Sequence, residues 1–342
     1  MGATDGKFFM IAKFWKTGAD GRLECELCPH RCRLAEGQSG ICRVRRASGG
    51  RLVAEGYGRI SSAALDPVEK KPLYHFHPGS AIFSIGGWGC NLGCVFCQNW
   101  TISQTFEAAA RSFAPEEVVR RASAEKESVG IAYTYNEPMI GWEFVHDCAA
   151  LARKAGLVNV LVTNGFVNTA PAAELLPMTD ALNVDIKSME EKFYRTQCRG
   201  QLRPVLDFCR QAVAAGCHVE ITNLVIPGLN DRDELFESLA GWIADNLGSL
   251  TPLHLSAYHP QYKMDIPATP VSTLYRAYDI CRKRLAYVYL GNVMGSRGLN
   301  TECPGCGNVL VVRRGYDVAV PGIVNGACGR CGRKADFIIR QH

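Results

Sequence analysis

A chain of 342 residues, 47% of them apolar, has enough material for one large α/β core with smaller additions at its ends. Its net charge of +5 is too mild to argue for nucleic acid, and no run of about 18 apolar residues offers a membrane span. Sixteen cysteines would suit a disulfide scaffold, but eleven of them fall into three tight groups with metal-ligand spacing, which favours metals. Gly2 follows the first Met, but Gly6 stands where a myristoylation site takes Ser or Thr, and no signal-peptide pattern follows. A cytoplasmic protein is expected.

Residues 1–80 are expected to form a Cys-rich extension. Cys25, Cys28 and Cys32 lie in Cys-x2-Cys-Pro-His-Arg-Cys, and Cys42 follows after nine further residues, with Gly37 and Gly40 as turns. Four thiolates suit structural zinc or a closed second iron–sulfur cluster. The spacing differs from the bacterial ferredoxin run, so a folding staple is expected in preference to an electron relay.

From 81 to 297, short apolar runs alternate with amphipathic segments, as a parallel sheet with crossover helices requires. Strands are expected at 81–85, 130–134, 158–163, 181–186, 218–226, 252–258 and 287–290. Helices are expected at 115–126, 140–155, 204–215, 231–246 and 273–285; in the fourth, Leu235, Leu239, Trp242 and Ile243 form one stripe. Six βα units and a final strand make an incomplete (β/α)6 barrel, open on one side. Cys148, Cys198, Cys209, Cys217 and Cys281 are dispersed through it and are expected in the core.

After the first strand, Gly86-Gly87-Trp88-Gly89 leads into Cys90, Cys94 and Cys97, spaced x3 and x2. Three thiolates this close grip three corners of an iron–sulfur cube and leave the fourth iron open, the nearest other cysteines in sequence being Cys42 and Cys148. Zinc in a closed site would want a fourth ligand. Working residues of a parallel barrel stand at the C-terminal ends of its strands. There the sequence offers Asn136 and Glu137, then Thr163 and Asn164, then Asp185 and Lys187, which alternate on one side of a strand. Asn223 and Val225, and finally His259, follow at the later strands. His75, His77 and His254 have no comparable support.

The tail, 298–342, changes character. Cys303-Pro304-Gly305-Cys306 and Cys328-Gly329-Arg330-Cys331 are two knuckles around segments at 309–314 and 316–320 that suit a hairpin. A zinc-ribbon or rubredoxin-like module holding Zn2+ as a structural cap is expected.

Cys-x3-Cys-x2-Cys with Phe96 before the last cysteine resembles the radical S-adenosylmethionine superfamily. The resemblance implies a [4Fe-4S] cluster on Cys90, Cys94 and Cys97, S-adenosylmethionine on its open iron, and a 5′-deoxyadenosyl radical that abstracts hydrogen from a substrate. Activating enzymes of the pyruvate formate-lyase type carry Thr-Gly-Gly-Glu-Pro where this chain has Thr134-Tyr135-Asn136-Glu137-Pro138, so Glu137 matches and its two predecessors depart. The aspartate that precedes Thr163-Asn164-Gly165 in those relatives is Val162 here. Asp185-Ile186-Lys187 resembles their Asp-x-Lys element, which implies contact with the cofactor and the radical-forming step. Asn223 with Val225-Ile226-Pro227-Gly228, and His259, resemble residues that meet the adenine.

Over nearly the whole chain, the N-terminal cysteine motif, Asp66-Pro67-Val68-Glu69-Lys70-Lys71-Pro72-Leu73-Tyr74-His75-Phe76, Tyr289-Leu290-Gly291-Asn292 and the tail look like the AmmeMemoRadiSam-system radical enzyme family. That resemblance implies Memo-like and AMMECR-like partners and a low-potential electron donor, flavodoxin or ferredoxin. Its rivals are activation of a partner enzyme's backbone glycine, an aminocarboxypropyl radical from a different carbon–sulfur bond, and a non-catalytic metal- or RNA-binding protein.

Overall fold

The apolar runs of the central segment pair side by side in chain order. In the computed structural model, which describes residues 10–339 except 107, 294 and 296, they form one sheet. Gly2 and Gly6 lie outside the described residues. Seven parallel strands, β2 (Ala81–Gly86), β3 (Ser128–Tyr133), β4 (Val158–Thr163), β5 (Ala181–Asp185), β6 (His218–Val225), β7 (Leu253–Ala257) and β8 (Val288–Gly291), stand next to one another in that sequence. An eighth, β1 (Ser62–Pro67), is antiparallel to β2 and forms the edge opposite β8. The sheet therefore starts in the Cys-rich extension, ahead of residue 81. Its edge strand ends on Pro67, a residue that only an edge tolerates.

Helices α1 (Pro115–Ala124), α2 (Trp142–Lys154), α3 (Thr169–Leu175), α4 (Leu202–Ala214), α5 (Asp233–Asn246) and α6 (Val271–Cys281) connect the strands. α1 starts on a proline with Glu116 and Glu117 in its first turn, where the helix dipole favours both. α5 buries Leu235, Leu239 and Ile243 as its periodicity requires. α2 starts later than its pattern because a 3-10 turn, Pro138–Gly141, precedes it. α3 is too short to show a period in sequence. Along β5, Leu182 and Val184 join the main core, while Asn183 donates to Pro72 O at 2.8 Å.

The N-terminal ends of the strands make a floor. A small core of Val68, Leu73, Phe76, Ile82, Val129, Ala132, Val160 and Ala181 fills it. Beneath lies the C-terminal module, whose strands Val309–Arg314 and Asp317–Ala319 form the expected hairpin. Arg313 is buried, reaches Tyr74 O at 2.7 Å and Thr301 Oγ1 at 2.8 Å, and lies over the Tyr74 ring. His75 bonds Asp336 O at 2.8 Å and the Tyr289 hydroxyl at 2.6 Å, and stacks on Phe337. At the opposite end, the extension folds into a three-stranded sheet (Trp15–Thr17, Leu23–Cys25, Arg33–Leu34) and a hairpin (Arg45–Ser48, Arg51–Ala54) against the strand C-termini. No helix among the described residues is long and apolar enough to cross a membrane.

Candidate active site at the mouth of the barrel

The loop that leaves β2 carries Cys90, Cys94 and Cys97, with Cys94 buried and the other two half-buried. Its shape is set from outside. Gly89 has φ +79°, and a Cβ there would lie 2.2 Å from the carbonyl oxygen of Cys42, so only glycine lets the two segments meet. Asn136 clamps the same turn: its Oδ1 accepts from Gly87 N at 3.0 Å, and its Nδ2 donates to Trp88 O and Gly89 O at 3.1 Å.

Tyr135, which stands where the activating enzymes have glycine, adopts a glycine-like φ of 69°. Asn99 Nδ2 donates to its carbonyl at 2.7 Å, and its hydroxyl donates to Asp66. Asp66 also takes the ammonium groups of Lys71 (2.6 Å) and Lys70 (2.8 Å), and Lys71 lies over the Tyr135 ring. Burial would raise the Asp66 carboxyl, but these three donors hold it well below the usual carboxylate range. Asp66 and Lys71 are visible in the sequence only within the motif 66–76, and Tyr135 only as a departure from the glycine of the activating enzymes.

Polar groups lie close to two of the three sulfurs. Leu92 N–H and Asn164 Nδ2 point at Cys90 Sγ at 3.4 and 3.5 Å, and Ser103 Oγ lies 3.1 Å from Cys97 Sγ. Cys94 is hydrogen-bonded to the thiol of Cys198, which, with burial, pushes it far above its ordinary range. Cys198 is buried, as expected of a core residue, yet it is also a fourth thiol beside the triad.

Glu137 is buried and accepts three hydrogen bonds: Met139 N at 2.9 Å and Thr163 Oγ1 at 2.7 Å on Oε1, and Asn164 N at 2.8 Å on Oε2. An ionised carboxylate has about four lone-pair sites, so one remains for a ligand. Burial outweighs those bonds and raises its pKa to about 7. Asp185 and Lys187 form an ion pair at 3.0 Å, and Lys187 Nζ lies 6.0 Å from the centre of the Phe96 ring. Burial alone would lower Lys187, but Asp185 and the Cys94 and Cys198 thiols outweigh it, and the ammonium stays charged.

The remaining candidates divide. Asn223 Nδ2 donates to Ile186 O at 2.8 Å, while its buried Oδ1 and the neighbouring Thr222 Oγ1 have no partner. Val225 is packed wholly in the main core, and its carbonyl accepts from Thr269 Oγ1 at 2.6 Å. The His259 ring is exposed, 3.2 Å from Asn292 O. His254, which had no support as a ligand, belongs to the floor, where it bonds Glu220 at 2.6 Å. Behind the loop is a cavity of about 50 Å³, lined by Trp88, Asn136, Glu137 and Ile140 among others, with room for water but not for a nucleoside.

In the tail, Cys303, Cys306, Cys328 and Cys331 bring their sulfurs within 4.8 Å of one another, as a single tetrahedral ion requires. No three thiols of the mouth or of the N-terminal quartet meet that closely among the described residues.

The family model described as the Radical SAM superfamily matches residues 85–239, from the end of β2 into α5. The uncharacterized protein MJ0808 of Methanocaldococcus jannaschii is 41% identical over 334 residues, covering 96% of this chain and 99% of that protein. The pyruvate formate-lyase 1-activating enzyme of Escherichia coli (strain K12) is 27% identical over 50% of this chain and 71% of its own length. Among solved structures, a domain of a pyruvate formate-lyase-activating enzyme from Bacteroides vulgatus ATCC 8482 aligns with 48% of this chain and 99% of that one, at 20% identity and a TM-score of 0.43.

Proposed function

The chain belongs to the radical SAM superfamily, and from that premise we propose that it reductively cleaves S-adenosylmethionine at a [4Fe-4S] cluster on Cys90, Cys94 and Cys97 and abstracts hydrogen from a substrate. The observation that carries this reading is the Cys90–Cys94–Cys97 loop with Asn164 and Glu137 beside Cys90 and the Asp185–Lys187 pair beside Cys94. On β6, Thr222 Oγ1 and Asn223 Oδ1 are buried without a partner, which is costly unless a polar ligand fills them. When bound, the cluster supplies one electron to the sulfonium of S-adenosylmethionine, releasing a 5′-deoxyadenosyl radical.

The chain's own residues hold and aim. Asn164 and the Leu92 amide stabilise the Cys90 thiolate, and Asn136 fixes the loop that presents it. Glu137 locks the β3 and β4 ends together and offers its last lone pair to an ammonium. Lys187, charged and tied to Asp185, sets a positive field beside Phe96 and Cys94. Cys303, Cys306, Cys328 and Cys331 hold Zn2+ under the floor, away from the chemistry.

The sequence pattern supports membership of the AmmeMemoRadiSam-system family, with Memo-like and AMMECR-like partners and a flavodoxin or ferredoxin as reductant. The likeness to an activating enzyme supports a second reading, in which the hydrogen comes from a backbone glycine of a partner. Anaerobically reconstituted protein, reduced in the presence of S-adenosylmethionine, should yield 5′-deoxyadenosine on chromatography. Methylthioadenosine would instead mean an aminocarboxypropyl radical, and no adenosyl product at all would remove the reading.

A further inference from the structure

The N-terminal quartet is spread over 18 positions, from Cys25 to Cys42, yet its thiols converge. A Cβ on Gly40 would lie 3.7 Å from the sulfurs of both Cys32 and Cys42, and Cys28 feels the charge of the other three. The N–H groups of His30 and Val44 donate to Cys28 and Cys42, each two residues on, as in a metal knuckle. Arg45, buried, points Nη1 at Cys25 Sγ (3.7 Å), bonds Lys13 O at 2.8 Å and pairs with Glu143. The guanidinium, paired with Glu143, is fixed beside Cys25 and Cys42, where thiolate ligands of a metal centre would carry negative charge.

The quartet also touches the mouth. The Cys42 carbonyl packs on Gly89, next to Cys90, and His30 Nε2 lies 2.7 Å from Asn91 O on the other side of Cys90. Its segment is tied down further by Asn168, which donates to Glu26 O and Leu27 O at 2.7 and 3.0 Å. Of the four, Cys32 is the one with partial exposure.

We propose that Cys25, Cys28, Cys32 and Cys42 hold a second [4Fe-4S] cluster, closed by four thiolates, that passes electrons to the cluster at the mouth. The contact of the quartet with the loop of Cys90 on both sides favours an electron relay over a remote structural zinc. A one-electron donor of the flavodoxin or ferredoxin class approaches at Cys32 and is oxidised by one electron. The N-terminal cluster takes that electron and returns to its oxidised state on handing it across the Cys42–Gly89 contact; no bond or proton moves. The relay rests on the reading of the mouth given above, whereas the site does not.

The full chain, reconstituted anaerobically with ferrous iron and sulfide, should carry about eight irons, and a C90A/C94A/C97A variant about four. In that variant the reduced protein should still give an iron–sulfur paramagnetic signal, one that S-adenosylmethionine leaves unchanged. A variant without iron, or with zinc in its place, overturns the site. Should the variant not fold, the wild type decides: about four irons, with a second zinc beyond the one the tail cysteines hold, overturns it equally. For the relay, a C28S/C32S variant should slow reduction of the mouth cluster by reduced flavodoxin at least tenfold, followed by freeze-quench spectroscopy, and dithionite should bypass the defect. An unchanged rate overturns the relay. Failure of the mouth reading would appear separately, as a wild-type signal that S-adenosylmethionine does not alter.

Discussion

One strand, β6, shows both ends of the barrel. At the floor, Glu220 is buried with both oxygens filled: His75 N (2.7 Å) and His218 Nε2 (2.9 Å) on one, Tyr74 N (3.0 Å) and His254 Nε2 (2.6 Å) on the other. Two residues on, Thr222 Oγ1 is equally buried and bonds nothing, and Asn223 Oδ1 follows suit. Glu220 is satisfied internally and so contributes stability, although elsewhere in the floor Glu69 Oε2 and Arg313 Nε are left without a partner. The mouth keeps polar capacity open, which costs stability and is tolerable where a ligand completes it.

The sharpest way to expose the floor is acid. Burial lowers the His75 pKa from 6.5 to about 3, and Glu220 is held well below the ordinary carboxylate range because, despite burial, His218 and His254 donate to it. The unfolded chain binds protons at both positions before the folded one does. Stability is therefore full above about pH 6.5 and falls as pH drops toward 3, with on the order of 5 kcal/mol attached to His75 alone. Urea unfolding at a series of pH values from 7 to 4 checks this, and a flat profile contradicts it.

Next in size is Glu220→Ala. It leaves two imidazoles and two amide N–H groups without their acceptor, and should cost roughly 3–5 kcal/mol while the folded fraction keeps its affinity for S-adenosylmethionine. Unchanged stability with lost affinity would erase the distinction between the ends. At the mouth, Glu137→Gln should do the reverse. Affinity for S-adenosylmethionine in the reconstituted protein should fall about 10- to 100-fold, as expected for a charge-assisted bond of roughly 1.5–3 kcal/mol, with a smaller loss of stability. Calorimetric titration measures it, and undiminished affinity would leave Glu137 as a strut between β3 and β4.

The sequence displayed the parts of this contrast that are local. The apolar runs became β2 to β8, the α5 stripe is buried, the tail knuckles face one another, and Asp185 and Lys187 pair across two residues. What it hid depends on contacts between distant segments. Ser62–Pro67 carries little strand pattern and becomes β1 only by pairing with β2. Cys198 meets Cys94 across a hundred positions, and Tyr135 holds a glycine's backbone angle with its hydroxyl on Asp66 and its carbonyl held by Asn99. His75 and His254 looked idle because their partners, Tyr289 and Glu220, come from strands far along the chain.

The proposed activity requires the mouth to receive S-adenosylmethionine at a cluster with one open iron. The direct measurement is the electron paramagnetic resonance spectrum of the anaerobically reduced C28S/C32S protein, in which only the mouth cluster should remain, recorded with and without S-adenosylmethionine. The g-values should shift on adding the cofactor, as coordination at the open iron alters its electronic environment. A spectrum identical in both samples would contradict the account.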